Sequence, residues 1–84
     1  MVSIIYFYTE SCNICKKVKS EINYIEKLIP TVYVNGENDR ELVKKYAIEF
    51  YPTIVVLEND ELKTKYIGKN AIKDVMDKIK NRPK

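Results

Sequence analysis

The stretch Val2-Ser3-Ile4-Ile5-Tyr6-Phe7-Tyr8-Thr9-Glu10-Ser11-Cys12-Asn13-Ile14-Cys15 decides the fold. Val2 to Tyr8 is rich in β-branched and aromatic residues and almost continuously apolar. That is the signature of a central strand covered on both faces. Thr9-Glu10-Ser11 is a short polar turn. Ile14, Val18, Ile22, Ile25 and Leu28 or Ile29 then recur at spacings of three and four, which predicts an amphipathic helix from about 13 to 29. Pro30 stops it.

Working outward, Thr31 to Asn35 predicts a second strand, broken by Gly36. Asn38 followed by Glu41 has capping-box spacing, and Leu42, Val43, Tyr46 and Ala47 predict a short helix. Thr53 to Leu57 and Leu62 to Ile67 read as two strands joined by a turn at Glu58-Asn59-Asp60-Glu61. Asn70 is a candidate cap for a last helix whose apolar face is Ile72, Val75, Met76 and Ile79. The order βαβ-α-ββα implies an α/β fold, with a four-stranded mixed sheet flanked by three helices. Residues 1–84 make one domain, with 81–84 expected to be a frayed tail.

Composition narrows the chemistry. The chain has 84 residues, 45% of them apolar, 32% charged, and a net charge of +3. A packed core is affordable and disorder is not expected. The mild positive charge is spread along the chain, so no nucleic-acid partner is expected. No stretch is long enough to span a membrane and no leader pattern is visible, so the expected location is cytoplasmic. His is absent, which removes Ser–His and Cys–His nucleophile pairs and most zinc hydrolase sites. Two Cys are too few for a disulfide scaffold.

Those two are Cys12 and Cys15, placed where a strand ends and a helix begins. Cys12 falls at the helix N-cap, where unpaired N–H groups and the helix dipole favour thiolate over thiol. Lys16 and Lys17 add positive potential. Cys15, one turn on, is within disulfide reach and placed to resolve a mixed disulfide formed by Cys12. Other uses compete with a redox role. A structural disulfide here closes so short a loop that it stabilises by only roughly 2 kcal/mol. A metal site lacks ligands unless two chains share it. Two inert thiols are the third alternative.

With the dithiol, Tyr51-Pro52-Thr53 before a strand and Gly68 after a hairpin, the chain resembles the thioredoxin superfamily over nearly its whole length. The resemblance implies a cis Pro52 facing the dithiol, and a Tyr51 backbone free to pair with an extended substrate. It implies catalytic roles for Cys12 as nucleophile and Cys15 as resolving thiol. Asn13, Ile14, Tyr51, Thr53 and Gly68 become candidate substrate-contact residues, with Ile14, Tyr51 and Gly68 forming a small apolar docking patch. Departures are equally specific. Thioredoxins carry a buried Asp six residues before the first Cys, where this chain has Tyr6, a poor base at neutral pH. Tyr8 stands where thioredoxins carry a Trp. Thr9, Phe50-Tyr51-Pro52 and Gly68-Lys69-Asn70 replace the glutathione-binding features of glutaredoxins, although the chain is glutaredoxin-sized.

The implied activity is thiol–disulfide exchange on disulfide-containing protein substrates. Electrons would come from a thioredoxin-reductase-type enzyme or a small thiol, with no bound cofactor, and the protein would act as a monomer. The alternatives are a glutathione-linked glutaredoxin, a metal or iron–sulfur carrier using Cys12 from two chains, and an interaction module with a vestigial dithiol.

Overall fold

A computed structural model describes residues 2–68 and 70–80, excluding the side chains of Ile79 and Lys80. The order is β1 (Val2–Tyr8), α1 (Asn13–Lys17), α2 (Lys19–Glu26), β2 (Thr31–Asn35), α3 (Arg40–Lys45), β3 (Thr53–Glu58), β4 (Glu61–Ile67) and α4 (Ala71–Lys80). The strands form one mixed sheet in the order β2-β1-β3-β4. β1 runs parallel to β2 and antiparallel to β3, and β3 pairs antiparallel with β4.

The interior position of β1 explains its nearly continuous apolar run. Ile4 and Tyr6 face a cluster with Val18, Ile22, Ile25, Ile54, Ile72 and Val75, beneath α2 and α4. Ile5 and Phe7 face the other side, with Val34, Ile48, Val55 and Leu57, where α3 packs Leu42 and Val43. Alternate residues of one strand thus anchor two cores.

Three expectations change in detail. The helix predicted over 13–29 is two segments, α1 and α2, broken at Val18 (φ −94°, ψ 2°), so four helices flank the sheet rather than three. The break coincides with an intrusion. The Tyr6 hydroxyl donates to the Cys15 carbonyl at 3.4 Å, on the backbone that continues into α2. A side chain entering the helical hydrogen-bond ladder is a recognised cause of such breaks. The cap of α3 is Asp39, whose Oδ1 accepts the Leu42 N–H at 3.3 Å, one residue later than Asn38. Ala47, read as a helical residue, lies beyond the end of α3 with φ +52°. The tail expected over 81–84 and the Ile79 side chain lie outside the described residues.

The hairpin turn is explained by its backbone. Asn59 and Asp60 both have positive φ, 54° and 69°, in a two-residue connection between β3 and β4. That is the primed geometry whose twist suits a hairpin, and Asn and Asp tolerate it best after Gly.

Candidate active site

The register gathers the singled-out residues at one end of the sheet. Phe7 pairs with Thr53, and Thr53 with Ile67, while Tyr8 lies opposite Asn35. The cysteine loop leaves β1 at this end, Tyr51-Pro52 enters β3 there, and Gly68 follows β4 there. Two backbone bonds tie the loops together. The Gly68 N–H donates to the Pro52 carbonyl at 2.9 Å, and the Gly36 N–H to the Tyr8 carbonyl at 2.8 Å. Gly68 has φ +88°, a conformation that a side chain would disfavour.

Cys12 is the N-cap of α1. Its backbone is extended (φ −82°, ψ 106°), as a cap requires, and its Sγ accepts the Cys15 N–H at 3.1 Å. Cys12 is half-buried, while Cys15 is 5% exposed. The two are joined in a disulfide with Cα atoms 5.2 Å apart, within the ordinary span for such a bond. In the reduced state the same N–H and the exposed Lys16 and Lys17 favour charge on the Cys12 sulfur. A half-buried cysteine whose sulfur is stabilised as thiolate, with a buried partner one turn away, fits nucleophilic exchange followed by intramolecular release.

The Tyr51-Pro52 peptide bond is cis. Pro52 is buried, and the Thr53 side chain is 1% exposed. Thr53 Oγ1 donates to the Phe50 carbonyl at 2.6 Å. The Thr53 side chain is turned inward and fastens the proline loop. The Tyr51 ring lies over Gly36, where a Cβ would overlap it, and packs against the α3-side core. Tyr51 is thus shared between the site end and the core. Asn13 and Ile14 are exposed on α1.

Two residues at this end escaped the sequence reading. Phe50 is 59% exposed and Ile67 is also exposed. Phe50 directly precedes the Tyr51-Pro52 pair, and Ile67 directly precedes Gly68. Their neighbours carried the only available signal, because nothing in an apolar residue's identity says that it will stay outside.

Behind Cys15 lies an open cleft of about 590 Å³ with Tyr6, Tyr8 and Tyr33 in its walls. Tyr6 stacks on Tyr8 with ring centroids 5.8 Å apart and meets Tyr33 edge-on at 5.9 Å. Burial first, then the neighbouring Tyr33 and Tyr8, push the Tyr6 hydroxyl up to about 12. At neutral pH it is a donor and not a base. Among the described residues, no group of three or more His, Cys, Asp or Glu is placed to hold a metal ion.

Known proteins share this fold. The oxidised mitochondrial thioredoxin 3 of Saccharomyces cerevisiae superposes with a TM-score of 0.86 at 22% identity, covering 95% of this chain and 77% of that one. Fasciola hepatica thioredoxin gives 0.84 at 17%, covering 96% and 81%. At such identities the likeness shows the fold. Thioredoxin 2 of Plasmodium berghei is 27% identical over 62 residues, 69% of this chain, and the match spans 40% of that curated relative's length. The family model described as Thioredoxin matches residues 1–81, and with that match the chain belongs to the thioredoxin family.

Proposed function

We propose that this chain is a thiol–disulfide oxidoreductase that reduces disulfides of protein substrates. The observation that carries the reading is the cap itself, with the Cys12 sulfur accepting the N–H of Cys15 at 3.1 Å. The Cys12 thiolate attacks a substrate disulfide, a mixed disulfide forms, and one substrate sulfur leaves. Cys15 then attacks Cys12, giving the Cys12–Cys15 disulfide and fully reduced substrate. Electrons return from a thioredoxin-reductase-type enzyme or a small thiol.

Pro52 faces the dithiol in this reading. Asn13, Ile14, the Tyr51 backbone and Gly68 meet an extended substrate segment, and exposed Phe50 and Ile67 widen the apolar surface at that end. The protein acts as a monomer in the reducing cytoplasm, where both of its cysteines are available for exchange.

The test is turnover of a protein disulfide by the reduced chain, followed as free thiol released. Cys12→Ser abolishes turnover, and Cys15→Ser accumulates a covalent mixed disulfide. A Cys15→Ser protein that traps nothing removes the role assignment. The midpoint potential then separates the two redox readings. A value near about −270 mV marks a thioredoxin-type reductant, and about −200 to −230 mV marks glutathione-linked chemistry.

A further inference from the structure

We infer that Tyr6 is a positioning residue for the resolving step, holding Cys15 at the wall of an open cleft through which the Cys15 proton leaves to solvent. The inference rests on the dithiol reading above and concerns its second half.

The geometry begins at the helix break. Tyr6 is 3% exposed on the central strand, and its hydroxyl reaches across to the Cys15 carbonyl. α1 is only five residues long and ends at Val18. A helix this short has little internal cooperativity, so its position depends on contacts made to the rest of the fold. The Tyr6 bond, long at 3.4 Å, tethers the backbone of the residue that must bring its sulfur to Cys12. The Tyr6 ring is itself fixed, stacked on Tyr8 and edge-on to Tyr33.

The same tyrosine bounds the cleft that Cys15 lines. At about 590 Å³ the cleft is far larger than the roughly 30 Å³ of one water, and Cys15 is among its lining residues although nearly buried. The groups that face it are few. Tyr6 and Tyr8 come from β1, Tyr33 from β2, Lys16 from α1, Lys19 from α2, and Glu10 from the preceding loop. Lysines are donors only, and Tyr6 holds its proton through the neutral range. Glu10 is the one carboxylate among the described lining residues, and it is exposed to solvent on the cysteine loop.

The step balances without a further reactant. Cys15 gives its proton to solvent, and its thiolate attacks the Cys12 sulfur of the mixed disulfide. The Cys12–Cys15 bond forms, the Cys12–substrate bond breaks, and the substrate sulfur leaves as thiolate and takes up a proton. The dithiol has lost two electrons and the substrate has gained them.

The experiment is single turnover of the reduced full chain with a protein disulfide, quenched, alkylated and weighed by mass spectrometry at pH 6 to 9. Rise and decay of the mixed disulfide give the two steps separately. In the native protein, decay accelerates about tenfold per pH unit between 6 and 8, as the thiolate fraction does when no side chain assists. Tyr6→Phe keeps that slope and the first step, but slows decay about fivefold, the effect of one lost hydrogen bond. A plateau below pH 7 that Glu10→Gln abolishes overturns the solvent route in favour of Glu10. A Tyr6→Phe protein that matches the native one, or that slows both steps alike, overturns the positioning role. If no mixed disulfide forms at any pH, the dithiol reading itself has failed.

Discussion

Two short helices, α1 and α3, are built on one plan and used for different ends. Each is capped by the side chain of the residue before it, Cys12 Sγ on the Cys15 N–H and Asp39 Oδ1 on the Leu42 N–H. Each is fastened by a side chain from a strand. Tyr6 of β1 donates to the Cys15 carbonyl, and Lys65 Nζ of β4 donates to the Tyr46 and Ala47 carbonyls at 3.0 and 3.3 Å. In α3 every choice serves stability, because carboxylate is a strong cap and a cation suits a helix C-terminus. In α1 the cap is sulfur, a weak acceptor as a thiol and a better one as a thiolate. The pin is a neutral hydroxyl. The same local geometry stabilises a helix in one place and biases a nucleophile in the other.

Replacing the cap atom tests this contrast most severely. Cys12→Ser loses all turnover, yet it stands as stable as the reduced native protein or gains up to about 1 kcal/mol, because Ser is a preferred N-cap. Denaturant midpoints under reducing conditions, beside the thiol-release assay, read both numbers. A stability loss would mean that the sulfur serves the fold after all. The pin of α1 gives the next effect. Tyr6 binds its proton more tightly folded than unfolded, so its contribution is complete below about pH 10 and is lost as pH rises toward about 12. Tyr33, also shifted upward, chiefly by burial, acts in the same direction. The native protein therefore loses stability over that interval. Tyr6→Phe removes most of this alkaline slope, and equal slopes in the two proteins would show that the tyrosine is not buried as described. In α3, Asp39→Ala costs about 1 kcal/mol and leaves turnover unchanged. Altered turnover would show that the helices are coupled.

How much of this was legible beforehand follows from what kind of residue carries each feature. The strand β1, its position between two cores and the dithiol at its end were written in residue types, a nearly continuous apolar run and a Cys pair at a strand-to-helix junction. Pro52 was visible, and its cis bond was implied through the family resemblance. The break at Val18 was not legible. It coincides with a hydrogen bond from a tyrosine twelve residues earlier, and no Pro or Gly marks it. The exposure of Phe50 and the inward turn of Thr53 were hidden for a similar reason, since both follow from which way a loop turns. The end of α3 was misread because the residue that leaves the helix there is an alanine.

That alanine carries the smallest and most selective prediction. The Ile48 N–H donates to the Val43 carbonyl at 2.9 Å, and the Ala47 N–H to Lys44 at 3.2 Å, the pair of bonds that closes a helix through a left-handed residue. Glycine is the usual occupant, because a Cβ costs about 1 kcal/mol or more at positive φ. Ala47→Gly relieves that cost and gives part of it back through the freer unfolded chain. The net is a gain of about 0.5 kcal/mol, read as a higher denaturant midpoint at unchanged slope. Lys65 keeps its bonds, since both acceptors are backbone carbonyls. Turnover stays at the native value, because a firmer end to α3 touches neither the cap nor the pin of α1. If the stabilised variant reduces disulfides more slowly, motion of α3 is part of the cycle, and the division of labour between the two helices fails.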